Sequence, residues 1–462
     1  MTTQLLLLNN CNILKIIYHL IMTTYIQNKE VTDMNFNFDV QSIRKQFPAC
    51  DINERGIPIA YLDGPGGTQV PKRVLDAMTE YLINDNANED GNFKASFNTE
   101  DIEISVREAA ADFLGCTPDE IGFSCSSTQN SFNLAANLSK TFIPGDEVII
   151  TEIDHRCNSA PWRSLEKLGC VVKTVRLDPE TQQLDFNDFE TKLSEKTKIV
   201  AINWASNALG TITDVKKYID AAHQRGALTV VDAVHYAAHL PIDVKAIDAD
   251  ALLCSSYKWF GPHVGIIYLK KELIDTLEFN NAGADDISKG VRKFHMGTPQ
   301  YELLCGVREA IDFIASIGEK YINFFLDETK NFEGRRKNII AGMLAIDAYE
   351  SPLAAKLRNG LRVIEGVTVY GPAEGQPRTP TVVFTMDKYS PRFVTKVFGS
   401  RSINSWHGDF YAIEAISALG LSESGGLIRL GLAPYCTESD IDRVLETVTS
   451  IASGKYDSIH PL

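Results

Sequence analysis

From about residue 60 to residue 320, short β-rich apolar runs alternate with longer amphipathic stretches. The runs "DEVIITEI", "GCVVKTVRL", "KIVAINW", "ALTVVDA", "DALLCSS" and "VGIIYL" predict strands. Segments between them, such as "DVKKYIDAAHQRG", place apolar residues at helical spacing and end near a glycine, as amphipathic helices do. Strand, helix and strand in series imply right-handed crossovers and a mostly parallel sheet covered on both faces. Such sheets bind ligands at the carboxyl ends of their strands. After residue 320 the texture changes. "YINFFLDETKNFEGRRKNIIAGMLAIDAYE" reads as one long charged helical stretch, followed by strands "GVTVYG" and "TPTVVFTM" and a last helix "SDIDRVLETVTSIAS". The expected organisation is a large domain over 61–320 and a smaller α+β domain over 321–462, which residues 34–60 join. No internal repeat is visible.

Residues 1–33 do not fit this pattern. "LLLL" is too short for a signal core, "ILKIIYHLIM" carries Lys15 and His19, and no run approaches the roughly 20 apolar residues that cross a bilayer. Met34 opens a more ordinary start, so residues 1–33 are expected to be a dispensable extension or a misplaced start site, outside the fold. No membrane association is expected.

Composition narrows the partners. The chain has 462 residues, 44% apolar and 23% charged, as in a globular protein of two domains or of one large domain with an appendage. A formal charge of -15 argues against phosphate-backbone binding, so nucleic acid is not an expected partner. Nine cysteines occur without a C-x-x-C pair, which suits reduced thiols in a cytoplasmic chain. His235 and His239 have i, i+4 spacing but no HExxH pattern, so packing or solvation is the expectation and no metal is assigned.

The strand ends carry the chemistry. "EIGFSCSSTQNSFNLAANL" is a strand, a turn of small hydroxyl residues and a helix, with Ser126, Ser127, Thr128 and Gln129 where unpaired N–H groups favour an anion. The following strand ends supply His155, then Asn207, then Asp232 and His235, and last Lys258 in "CSSYKW". Each residue alone has an ordinary explanation: a cap, a turn residue, a core histidine. Together they put an anion cradle, an aromatic ring, an amide, a carboxylate and an amine on one rim. That set suits pyridoxal phosphate (PLP), whose aldehyde condenses with an amine and whose pyridine nitrogen a carboxylate keeps protonated. A dinucleotide fold is not supported, since "GPGGTQ" lacks the last glycine of G-x-G-x-x-G, and Gly454-Lys455 is followed by Tyr rather than the Ser or Thr of a P-loop.

These motifs resemble the class V aminotransferases of PLP fold type I, in their cysteine desulfurase-like branch. The likeness runs through "YLDGPGGTQVPKRVLDAM", "EIDHRCNSAPWRSL", "SNALGT", "VVDAVHYAAHLPIDV", "SSYKWFGPHVGIIYL" and "GLIRLGLAPYCTESDIDRVL", nearly everything after Tyr61. The resemblance implies that Lys258 forms the Schiff base, Asp232 pairs with the pyridine nitrogen and His155 stacks on the ring. Asn207 and His235 would face the phenolic oxygen; Thr128, Ser255 and Tyr257, beside Ser127 and Gln129 at the helix start, would hold the phosphate. Arg429 would bind the substrate α-carboxylate, a role suited to a bidentate guanidinium. Thr298, in "MGTP", matches a stretch reaching the partner subunit's phosphate, which implies a homodimer.

Three departures stand out. The desulfurases usually carry Gln where this chain has His235 and His where it has Tyr257. Their mobile small-domain cysteine falls here in "RSINSWHGDFYAIEAISALG", with Asp409 near its place and no cysteine from residue 306 to 435. Cys436, Cys157 and Cys254 are poor substitutes by position. No persulfide relay of the usual kind is therefore expected. The reactions left open are C–S β-elimination, transamination and epimerisation, with His407 or Tyr411 lining the substrate pocket as a proton donor or lying in a solvated loop. From another class, a catalytically silent PLP-fold binding protein is the alternative, against which Lys258, Asp232 and Arg429 argue.

Overall fold

The computed structural model describes residues 36–54, 56–278 and 290–456; the extension expected over residues 1–33 lies outside them. The alternating runs form a seven-stranded sheet. Its strands are β1 (Ile121–Ser124), β2 (Glu147–Thr151), β3 (Val171–Val175), β4 (Thr197–Asn203), β5 (Leu228–Asp232), β6 (Ala251–Ser255) and β7 (Gly265–Leu269). They lie in the order β1-β7-β6-β5-β4-β2-β3. The run from β6 to β3 is parallel, and β7 alone is inserted antiparallel between β6 and β1. A short β7 return follows directly from the Gly-Pro break after Lys258, which leaves no length for a crossover helix.

The central strands are largely apolar because both of their faces are buried, whereas edge strand β3 is mostly exposed or half-buried. Along β5 and β6, Val230 and Leu253 pack into one core cluster while Val231 and Leu252 pack into the other, the period-two alternation of a sheet sandwiched between helices. The helices that matter for the site are α1 (Ser127–Leu138), which follows β1, and α2 (Arg156–Arg163), which follows β2. The fold is the α/β architecture the sequence implied, a mostly parallel sheet between helices.

The expected long helical stretch is not continuous. α3 (Tyr301–Tyr321) ends, residues 322–333 turn back through short helical turns, and α4 (Gly334–Arg362) runs against it. The reason is packing. A Cβ on Gly318 would lie 1.8 Å from the Asn338 carbonyl oxygen, and one on Gly342 would lie 2.1 Å from that of Ile314, so the two helices cross almost backbone to backbone. Charges such as Asp327, Glu328 and Lys330 are compatible with helix and concealed the turn.

Beyond α4 comes a four-stranded antiparallel sheet of β8 (Val367–Tyr370), β9 (Thr381–Met386), β10 (Trp406–Gly408) and β11 (Leu427–Gly431), in the order β8-β9-β11-β10. Residues Ile403 and Asn404 pair with Ala60 and Tyr61. Among the described residues no helix is long and apolar enough to cross a membrane.

Candidate active site

A cavity of about 1050 Å³ opens between the carboxyl ends of the parallel strands and the small sheet. It is lined by Ser127, Thr128, His155, Asn207, Asp232, His235, Tyr257, Lys258, His407 and Arg429, so most of the sequence-derived candidates share one chamber. At its floor, Ser126 caps α1 by accepting the Gln129 N–H at 3.1 Å, leaving the first N–H groups of the helix beside the Ser127 and Thr128 hydroxyls. Gly265 is required there, because a Cβ would stand 2.2 Å from the Ser126 carbonyl carbon.

Lys258 follows β6 and donates through Nζ to the Pro65 carbonyl oxygen, with its ammonium 4.7 Å from the Tyr257 ring centre. Burial first, and the nearby Arg429 charge second, pull its amine down to about 7. Near neutral pH it is therefore half unprotonated, as a nucleophilic amine must be. Asp232 ends β5 with only 5% of its surface exposed. Its Oδ1 accepts the Val234 N–H at 2.9 Å, whereas Oδ2 meets only the Cys157 thiol, at 3.5 Å. Burial raises this carboxyl. Its charged form calls for a further donor at Oδ2.

His155 begins α2, and its Nδ1 accepts the Cys157 N–H at 3.0 Å. Burial, then Lys258 and Arg429, push it down to about 4, so at neutral pH it is an uncharged flat ring. Asn207 donates through Nδ2 to the Phe410 carbonyl at 2.9 Å, while its Oδ1 is buried without a partner. His235 spends Nε2 on Thr379 and Thr381, at 3.0 and 2.9 Å, so only Nδ1 is left to face a ligand. His239 belongs elsewhere, its Nδ1 bonded to Glu350 at 2.9 Å.

Arg429 enters from the middle of β11. It is 4% exposed, donates to the Asn207 carbonyl at 2.9 Å and lies 4.1 Å over the Phe410 ring, while its Nε has no partner. Burial lowers the guanidinium to about 9. A buried cation without a bonded carboxylate, facing a cavity, is poised for an anionic ligand.

Gln129, Thr298 and Ser255 lie outside the lining of the main chamber. Gln129 turns away, its Oε1 taking the Cys125 N–H at 3.3 Å and thiol at 2.8 Å. It lines a separate cavity of about 240 Å³ together with Thr298, so neither residue reaches the main chamber within one chain. On α1 Gln129 is rotated outward from Thr128, since consecutive helix positions diverge by about 100°; Thr298 lies in the segment before α3, and its expected contact is with a partner subunit. Ser255 sits behind Ser127, Oγ to Oγ at 3.0 Å, and supports it. Tyr257 stacks on His263 at 4.6 Å between ring centres, and burial pushes its phenol up to about 12.

Other contributors carried no individual signal in the sequence. Pro65 and Gly66 form the wall facing Lys258; their loop, "LDGPGGTQ", was visible as a motif, but a backbone carbonyl as the lysine's partner was not. Phe410 supplies a ring to Arg429 and a carbonyl to Asn207 from a loop that reads as ordinary polar sequence. Among the cysteines, Cys157 lines the cavity, with burial and Asp232 pushing its thiol up. Cys254 is buried, and Cys436 is buried with its thiol on the Tyr61 carbonyl at 3.4 Å.

The chamber fits PLP on its own chemistry. It offers a depressed amine, a buried carboxylate oxygen with one weak thiol contact, a capped helix start carrying the Ser127 and Thr128 hydroxyls, and a neutral imidazole.

A family profile described as Aminotransferase class-V matches residues 60–329 and 338–444. An aminotransferase-like protein, FGM3, of Gibberella zeae is 32% identical over 421 residues, covering 88% of this chain and 97% of the relative. A cysteine desulfurase of Synechococcus elongatus is 28% identical over 433 residues, which is 90% of this chain but 64% of that protein's length. Among solved structures, the apo cysteine desulfurase of Thermococcus onnurineus NA1 superposes with a TM-score of 0.79 at 26% identity, covering 90% of this chain and 98% of that one. A chain whose amine, carboxylate and helix start converge on one PLP-shaped chamber, and which the family profile spans almost end to end, belongs to the class V aminotransferase family of PLP-dependent enzymes.

Proposed function

We propose that this enzyme acts on an α-amino acid without a small-domain persulfide relay, catalysing C–S β-elimination, transamination or epimerisation. The observation that carries the substrate reading is Arg429: a buried guanidinium with an unpartnered Nε, in the same cavity as Lys258. Its fork would take the α-carboxylate, which orients the α-carbon toward the lysine. PLP, bound here, supplies an electron sink for breaking bonds at the α-carbon. Lys258 Nζ would hold PLP covalently and, once freed, accept and return the α-carbon proton. Asp232 Oδ2 would keep the ring nitrogen protonated, while His155 covers the ring face and excludes water. Ser127 and Thr128, with the α1 N–H groups, would hold the phosphate; Asn207 and His235 Nδ1 would face the phenolic oxygen. His407 reaches the cavity wall with Nδ1 bonded to the Thr395 hydroxyl at 2.9 Å, so Nε2 is the nitrogen that would act as a proton donor.

Against a relay stands the loop where the family's cysteine falls. Asp409 there accepts the Tyr411 N–H through Oδ1 at 2.9 Å, and the two cysteines closest in position, Cys157 and Cys436, are engaged or buried. The chain is read as a cytoplasmic homodimer; the placement of Thr298 away from its own chain's chamber supports the homodimer, in which that surface meets the partner. Residues 61–320 would form the large domain and 321–462 the small one, with 34–60 tied to the latter, a reading supported by the pairing of Ala60 with Ile403. The test is a panel of amino acids given to the PLP-loaded enzyme, scoring sulfide, pyruvate, other keto acids and racemised product separately. Formation of a protein persulfide from cysteine, mapped to one residue, overturns the reading.

A further inference from the structure

The wall of the cavity opposite Lys258 is apolar and open. Trp406, Tyr411, Phe132 and Ile413 are 51%, 65%, 45% and 38% exposed, and all four line the same cavity as Arg429. Trp406 is the direct cross-strand partner of Arg429 in the β10–β11 pair, so the two side chains share one face of the sheet. Its indole is held against Gly66, where a Cβ would come within 2.4 Å of the indole nitrogen. Phe132 lies one helical turn beyond Thr128, on the same side of α1.

The loop between β10 and β11 is held in an unfavourable backbone to keep this arrangement. Phe410 and Tyr411 have φ of 55° and 60°, left-handed values that non-glycine residues rarely adopt. The loop is pinned by the Asn207 amide on the Phe410 carbonyl and by the Arg156 N–H on the Tyr411 carbonyl, at 2.9 and 2.8 Å. The outcome is one ring under Arg429 and a second, Tyr411, 5.5 Å from His155. Of the polar neighbours, Asp409 accepts the Tyr411 N–H through Oδ1 and His407 is bonded through Nδ1 to Thr395, on the helix before β10. At about 1050 Å³ the cavity is also as large as the upper end of the roughly 300–1,000 Å³ typical of sites for drug-sized ligands.

We propose that the substrate is an α-amino acid with an aromatic side chain, seated against Trp406, Tyr411, Phe132 and Ile413 while Arg429 holds its carboxylate. This rests on the α-amino-acid reading above and adds the side chain. With the carboxylate at Arg429 and the nitrogen directed to Lys258, the remaining substituent of the α-carbon has the aromatic wall as its open direction.

The PLP-loaded enzyme is titrated with L-phenylalanine, L-alanine and L-cysteine, following the cofactor absorbance and, in parallel, acrylamide quenching of tryptophan fluorescence. Trp162, Trp204 and Trp259 are buried, so quenching reports Trp406. L-phenylalanine is expected to bind at least about tenfold more tightly than L-alanine and to shield Trp406, as burial of a phenyl ring predicts. Trp406→Ala and Tyr411→Ala should each weaken L-phenylalanine several-fold more than L-alanine, and Trp406→Phe should restore the preference. Equal affinities, a preference for L-cysteine, or a Trp406 already shielded in the free enzyme overturns the aromatic subsite while leaving the α-amino-acid reading in place. No spectral response to any amino acid overturns both.

Discussion

The two walls of the cavity are built differently. On the large-sheet side, His155, Asn207, Asp232 and Lys258 each follow a strand whose register is fixed by its neighbours, Asp232 pairing with both Asn203 and Leu253. On the small-sheet side, Arg429 projects from mid-strand, and the residues around it come from a loop with two left-handed non-glycine positions. A rigid, apolar sheet holds groups whose geometry every PLP reaction shares, while a loop can change what is selected without disturbing them. Both walls meet electrostatically, because the Arg429 charge helps to depress Lys258.

Breaking the large-sheet wall should have the largest effect. Lys258→Ala is expected to lower turnover by on the order of a thousandfold or more, since both the covalent anchor and the proton carrier are lost. Borohydride reduction of the parent followed by peptide mapping should place the pyridoxyl group on Lys258, and a label on another lysine removes the assignment. Asp232→Asn should keep a yellow, PLP-loaded protein while turnover falls on the order of a hundredfold, the scale of losing one preorganised electrostatic contact. Unchanged kinetics would reject its role.

On the small-sheet side the expected loss appears in binding. Arg429→Lys should raise KM for an amino acid roughly 10- to 100-fold, because a point ammonium replaces a bidentate fork. The coupling between the walls is read by pH. In the apoprotein, capture of PLP requires the neutral Lys258 amine, so its rate should rise with pH, level off above about 7 and fall about tenfold per unit below it. Arg429→Gln removes a positive neighbour that disfavours the ammonium, so the midpoint should move upward; an unmoved midpoint would show that burial alone sets it. The smallest effect is on stability. Phe410→Gly relieves a left-handed backbone but leaves Arg429 without its ring, and the melting temperature should stay within about 2 °C of the parent.

Legibility in the sequence follows the same division. Lys258 and Asp232 stood out in combination with the other strand-end groups and not singly, and β4 to β7 were recognisable because strands buried on both faces are apolar at nearly every position. The outward turn of Gln129 was not legible, since a motif gives membership of a turn and not the side chain's direction. Neither was the break at residues 322–333, whose composition suits a helix and whose cause is the close crossing at Gly318 and Gly342.

Local patterning determined which residues end strands, and therefore that an amine, a carboxylate, an imidazole and a helix start share one rim. That information is local, because burial repeats with the period of the element itself. The periodicity of the chain did not place Arg429, 171 positions after Lys258 (429 − 258), in the same chamber; the family motif around it did, and only the tertiary structure decided that Phe410 lies under its guanidinium and that Pro65 receives the lysine. Those contacts depend on how two sheets pack across a cavity, and no periodicity within either sheet records the position of the other.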